Sequence, residues 1–175
     1  KRDNYNVEDV DMAIKWEESD KVEKFEREFG KIFNYKFCLG VNSGTSALFI
    51  GIEAMNFPKG SEVITPALTF GTTVGCLIKN DLVPVFLDVK PLTYCIDETQ
   101  IEGAITDNTV AIMAPNLMGN LCNWPFIREI ADRHNLIVIE DSADTLGATI
   151  NGKKSGSFSD MSITSFYGSH IINGA

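Results

Sequence analysis

Apolar side chains recur at two periods along the chain, and the change of period divides it into elements. Val22, Phe25, Phe29 and Phe33 fall at helical spacing within a charged stretch, which puts them on one face and predicts an N-terminal arm or entry helix within residues 1–33. Beyond it, short runs rich in β-branched residues alternate with helix-length amphipathic stretches. The runs predict strands near 37–41, 62–65, 83–87, 109–114 and 136–140, and the stretches predict helices near 45–55, 70–80, 97–105 and 123–134. Such alternation is the pattern of a doubly wound α/β sheet. Asp97 with Gln100 reads as a capping box for the third helix, and Asn123 with Pro125 suits the start of the fourth. In the run 148–153, Asn151-Gly152 supplies the two positive-φ positions of a type I′ turn and predicts a hairpin.

Composition narrows the class without naming a function. The chain has 175 residues, 44% apolar and 22% charged, enough for one sizeable core. Acidic residues outnumber basic ones 24 to 15, and a net charge of -9 argues against a broad nucleic-acid footprint. A phosphate-bearing ligand would have to be held locally. No apolar run is long enough to span a bilayer and the start carries no signal-peptide pattern, so a soluble, cytoplasmic protein that binds neither membrane nor nucleic acid is expected. Cys38, Cys76, Cys95 and Cys122 are widely spaced with no CxxC pair, which points to reduced thiols in or near the core and to no metal site.

Three constellations could carry chemistry. Asn42-Ser43-Gly44-Thr45-Ser46-Ala47-Leu48 runs from a predicted strand into an apolar helix, where free backbone N–H groups, a glycine and two hydroxyls could cradle a phosphate. The same residues also serve as ordinary helix caps. Leu136 to Asp141 is an apolar strand ending in two acids, at the edge where open α/β sheets place ligands. A shielded carboxylate there could hold a protonated heterocyclic nitrogen, although acids at a strand end are as often solvated loop charges. Phe70 follows the Thr65-Pro66-Ala67-Leu68-Thr69 strand exit and reads either as core or as a stacking platform. There is no GxGxxG and no GxxxxGK[ST], so neither dinucleotide nor P-loop binding is indicated.

In order and spacing, these pieces from about Phe25 to Ala175 resemble the sugar aminotransferase family of fold type I pyridoxal-phosphate enzymes, the DegT/StrS family. The resemblance implies an α/β fold: the type I large domain, a mixed, mostly parallel sheet with helices on both faces. Residues 34–175 would be a partial cofactor-binding domain. The chain stops after Ser165-Phe166-Tyr167 with no evident closing element and has no initiating Met, so a truncated large domain without its small C-terminal domain is expected. The resemblance implies that Gly44, Thr45 and Ser46 grip the phosphate of pyridoxal 5'-phosphate or pyridoxamine 5'-phosphate, joined by Ser165. It further implies that Phe70 lies against the pyridine ring, that Asp141 holds its nitrogen, and that Asp144 sits beside its phenolic oxygen. Aminotransferases often carry Gln at that last position, so Asp144 is a departure. A homodimer is implied as well.

The largest departure is His170, which stands where the family carries the lysine that tethers the cofactor. Imidazole has no primary amine, yet it moves protons near neutral pH. The substitution resembles a small subgroup, the pyridoxamine-phosphate-dependent hexose 3-dehydratases. These remove the C3 hydroxyl of a nucleotide-linked 4-keto-6-deoxysugar on the way to dideoxysugars of O-antigens and other polysaccharides. Leu117-Met118-Gly119-Asn120 also resembles that subgroup. One branch carries a two-iron, two-sulfur cluster with a cysteine directly before the position of Asp144; the other regenerates the amine with glutamate. Ala143 in that position implies the cluster-free branch. An ordinary sugar aminotransferase using Lys153 or Lys154, or a non-catalytic relative, are the alternatives. The piece ending at Ala175 is expected to have little turnover by itself.

Overall fold

The computed structural model of the chain describes residues 19–170, and the part of the expected arm before Ser19 lies outside them. The chain divides into two compact units, Lys1–Val41 and Asn42–Ala175.

In the first unit, α1 (Ser19–Phe33) follows the predicted face. Phe25 and Phe29 have ring centroids 5.5 Å apart and Phe29 and Phe33 4.5 Å apart, as side chains one turn apart should. Asn34, at φ 58°, turns the chain, and the Tyr35 N–H closes on the Gly30 carbonyl at 2.8 Å. The expected strand at 37–41 does not form. No ladder partner reaches it among the described residues, and the Gly40 N–H donates to Glu26 Oε1 of α1 instead. Apolar alternation proposes a strand, but backbone pairing has to complete it.

The second unit begins with α2 (Gly44–Met55), β1 (Glu62–Pro66), α3 (Gly71–Lys79) and β2 (Val83–Leu87). After β3 (Thr109–Pro115) come α4 (Trp124–His134), β4 (Ile137–Asp141), the short strands β5 (Thr149–Ile150) and β6 (Lys153–Lys154), and β7 (Met161–Ile163). Five strands form one sheet in the order β2-β1-β3-β4-β7, every pair parallel. The remaining two make the hairpin expected at 148–153, with Asn151 at φ 51° and Gly152 at φ 75°.

Each core strand sends alternate residues to opposite faces, so the sheet has two cores. On one face Val63, Ala111, Met113 and Ile139 pack with Leu48 and Ile52 of α2 and Leu77 of α3. On the other, Ile64, Ile112 and Val138 pack with Trp124, Ile127 and Ile130 of α4. Helices on both faces of a parallel sheet bear out the α/β expectation. At the tip of β4 the same alternation turns Asp141 toward the α2–α3 side and Glu140 toward the α4 side.

Residues 97–105 are a correction. They form two single 3-10 turns, Glu98–Gln100 and Glu102–Ala104, in place of a helix. Asp97 accepts from the Thr99 N–H at 3.1 Å and from the Gln100 side-chain amide at 2.8 Å, so the capping pair closes one turn locally. Ile101 then anchors in the core and Gly103 does little to extend a helix. Asn123 directs its amide to Glu98 at 3.1 Å and leaves the start of α4 uncapped by a side chain, while Pro125 occupies the first turn as expected. His134 and Arg133 at the end of α4 both face Glu102, at 3.2 Å and 2.9 Å.

Candidate active site

All the strands that matter end at the same edge. β4 ends at Asp141, β1 leads through residues 67–69 to Phe70, and β7 leads through Ser165 to His170. The end of α2 passes through residues 56–61 straight into the start of β1, so packing antiparallel to the strands carries its N-terminus to that edge too. This is the carboxyl edge, where open parallel sheets bind ligands.

At the start of α2, Ser43 caps the helix: its Oγ accepts from the Ser46 N–H at 3.1 Å and donates to Ser46 Oγ at 3.0 Å. The N–H groups of Gly44 and Thr45 have no acceptor within the helix, and they sit at the positive end of its dipole. A Cβ at Gly44 would meet nothing within 4 Å, so the approach is open. At the start of α3, Phe70 is 70% exposed although aromatic, and its carbonyl accepts from the Thr73 N–H at 2.9 Å. Ser165 Oγ accepts from the Tyr167 N–H at 3.2 Å, which shapes the turn toward His170.

Asp141 is 8% exposed. Burial raises its pKa above the usual carboxylate range; the Ala143 N–H and the Thr73 hydroxyl oppose that, Asp144 adds to it, and His170 opposes it. The two donors stand at 3.2 Å and 3.3 Å. They leave a shielded acid short of positive charge. Asp144 Oδ1 lies 3.6 Å from His170 Nε2, and its Oδ2 accepts from the Met118 N–H at 3.3 Å. His170 Nδ1 is buried with no partner among the described residues, and the ring lies edge-on to Tyr167 at 5.7 Å. Asp141, Asp144 and His170 therefore form one electrostatic group, with Phe70 tied to it through Thr73. Lys153 lies on the hairpin with its Nζ 5.1 Å from the Phe158 ring centroid.

The sequence did not single out what lies beneath this group. Thr73 touches Asp141 because it sits one helical turn after Phe70, a spacing that could have flagged it. Glu140 was visible only as one of the two acids ending its strand, and Asn116 had no such signal. Asn116, 1% exposed, donates from Nδ2 to Glu140 Oε1 at 2.8 Å, Ser142 Oγ at 2.9 Å and Thr145 Oγ1 at 3.1 Å. Its Oδ1 accepts from Trp124 Nε1 at 2.8 Å and from the Cys122 N–H at 3.0 Å.

A cationic ring nitrogen would meet the charge deficit at Asp141, an anionic group would meet the open N–H groups of α2, and exposed Phe70 offers a flat apolar face. The residues present thus fit a phosphorylated heterocycle.

The chain as a whole is similar to known proteins. The profile of the DegT/DnrJ/EryC1/StrS aminotransferase family matches residues 1–175. The chain is 41% identical over 149 residues to GDP-perosamine synthase of Caulobacter vibrioides, covering 85% of this chain and 40% of that protein. It is 42% identical over 156 residues to the lipopolysaccharide biosynthesis protein RfbH of Salmonella typhimurium, covering 85% and 36%. Among solved structures, E. coli GDP-4-keto-6-deoxy-D-mannose-3-dehydratase with bound hydrated PLP superposes with a TM-score of 0.82 at 35% identity, over 87% of this chain and 41% of that one. The chain spans about 40% of the length of the curated relatives it matches. A profile matched along the whole chain and a fold shared with solved members place this chain in the DegT/DnrJ/EryC1/StrS aminotransferase family.

Proposed function

We propose that this chain supplies the cofactor site of an enzyme that uses pyridoxamine 5'-phosphate, formed from pyridoxal 5'-phosphate, to dehydrate a nucleotide-linked 4-keto-6-deoxysugar at C3. The observation that carries the reading is His170: an imidazole where the resemblance expects the lysine, facing Asp144 through Nε2. The dehydratase relative at 35% identity supports it.

When bound, the cofactor would supply an amine for the C4 ketone and a ring that can draw off electrons. The protein supplies the rest. Asp141 holds the ring nitrogen in its charged form, and its own burial makes that pairing strong. The N–H groups of Gly44 and Thr45, with the hydroxyls of Ser46 and Ser165, would hold the phosphate, and Phe70 would offer its face to the ring. Asp144 beside Nε2 orients the imidazole of His170, which is the base in this reading. A homodimer and glutamate as amino donor belong to the same reading.

The test uses the complete protein with pyridoxamine phosphate and a nucleotide-linked 4-keto-6-deoxyhexose, followed by mass spectrometry. Loss of the C3 oxygen as water is expected, and His170→Asn should lower turnover by about 100-fold or more while the cofactor stays bound. The 41% identity to GDP-perosamine synthase favours a second reading, sugar amination. Nitrogen appearing at C4, with borohydride fixing the cofactor to Lys153 or Lys154, would establish that reading and end the first. Neither product, despite bound cofactor, would mark a non-catalytic relative.

A further inference from the structure

Below the group formed by Asp141, Asp144 and His170 lies a buried polar network that those three residues do not require for their own hydrogen bonds. Glu140 is fully buried, with 0% exposure, and among the described residues no cation touches it. Its Oε1 accepts from Asn116 Nδ2 at 2.8 Å and Ser142 Oγ at 2.6 Å, and its Oε2 accepts from the Gly156 N–H at 2.8 Å. Three donors directed at one carboxylate suit the anion. A buried anion without a countercharge is costly, and such networks hold a backbone in one place when every member is satisfied. Two of these bonds end beside the site: Ser142 directly follows Asp141, and Asn116 opens the turn that offers the Met118 N–H to Asp144.

Ser142 is the junction. Its side chain bridges Asn116 and Glu140, its N–H donates to the Ile163 carbonyl at 2.8 Å, and its carbonyl accepts from Thr164 Oγ1 at 3.2 Å. Asp141 precedes it, Asp144 follows two residues on, and the Ile163–Thr164 segment leads to His170. Asn116 also reaches Thr145, directly after Asp144, and its own N–H donates to the Asp141 carbonyl at 2.9 Å. The amide thus grips the loop on both sides of Asp144, while the adjoining turn offers the Met118 N–H to Asp144 itself.

We propose that Asn116 and Glu140 are positioning residues: a buried amide–carboxylate pair that fixes Asp144 against His170 by clamping the 142–145 loop to the exits of β3 and β7. Neither touches the reacting atoms. The effect on turnover rests on the function proposed above; the effect on the loop does not.

Exchanging the partners tests it. Asn116→Asp alone sets two carboxylates against each other, and Glu140→Gln alone either turns an NH2 against the Gly156 N–H or turns it against the Asn116 amide. Together they restore one amide and one carboxylate at unchanged charge: the glutamine amide can donate to the new carboxylate, which still accepts from Trp124 Nε1 and the Cys122 N–H. The variants are made in the complete, cofactor-loaded protein. Amide hydrogen exchange of residues 142–146, measured without substrate, is expected to rise at least about tenfold in each single variant and to return toward wild type in the double. In the same samples, turnover per bound cofactor should fall at least about tenfold with KM within about threefold, and recover in the double variant. Unchanged exchange in both single variants would overturn the proposal. So would unchanged turnover per bound cofactor, or a double variant as impaired as the product of the singles, since a scaffold role alone would lower the melting temperature and cofactor occupancy without that split. If the wild type dehydrates no sugar, the function proposed above fails while the exchange measurement still decides the positioning role.

Discussion

Glu140 and Asp141 are neighbours in the chain, both buried at the tip of one strand, and they live in opposite circumstances. Burial raises the pKa of each above the usual carboxylate range. On the α4 side, Glu140 meets short hydrogen bonds from an amide, a hydroxyl and a backbone N–H, so its charge is accommodated by the protein. Across the sheet, Asp141 has two longer bonds and a like charge nearby in Asp144. The first acid is complete without a ligand. The second is complete only with one. Burial alone would class them together; the count and length of the donors separates scaffold from binding group.

The largest expected effect comes from emptying the satisfied side. Glu140→Leu would orphan the buried Gly156 N–H and take one acceptor each from Ser142 Oγ and Asn116 Nδ2, and should cost about 3 kcal/mol or more, read as a large drop in thermal midpoint or in soluble yield. The contrast fails if that variant is as stable as wild type. Asp141→Asn should do the reverse: cofactor affinity falls about tenfold to a hundredfold while stability without cofactor holds or rises at neutral pH.

The pH dependence sharpens this. Because the folded protein holds Asp141's proton more tightly than the unfolded chain does, the group favours folding below its ordinary value of 3.8. That contribution is lost as pH rises through the elevated folded value. Asp141→Asn should therefore flatten the acid side of the cofactor-free stability profile, and a slope identical to wild type would count against the assignment. The smallest effect belongs to the rim of the Glu140 network. Trp124→Phe removes one N–H donor to Asn116 Oδ1 and should cost about 1 kcal/mol by denaturant titration, leaving cofactor binding intact.

Much of the frame was legible in the sequence because periodicity reports faces. Val63 and Ile64, or Val138 and Ile139, must part to opposite sides wherever a strand forms, and the four predicted strands from 62 onward appear within a residue or so of their expected bounds. The strand at 37–41 failed because alternation says nothing about who will pair with a backbone, and the helix at 97–105 failed because local caps and Ile101's anchoring outweighed helical spacing. Site residues with their own local pattern, such as the turn before α2 or the acids ending β4, could be named in advance. Contacts such as Asn116 to Glu140 or Asp144 to His170 join segments far apart in sequence, and no local pattern encodes which two will meet.

The strand order carries a kinetic consequence. Every neighbour in the five-stranded sheet is parallel, from Glu62 beside Val83 to Ile139 beside Met161, so each pairing waits for an intervening crossover to be brought round. Closing those loops loses chain entropy before any ladder bond forms, and sheets of this kind assemble slowly compared with hairpins. Among the described strand pairs, the Thr149–Lys154 hairpin is local enough to form early, on a microsecond scale. The carboxyl edge, assembled from the ends of β1, β4 and β7, is thereby among the last places to take shape as the chain folds.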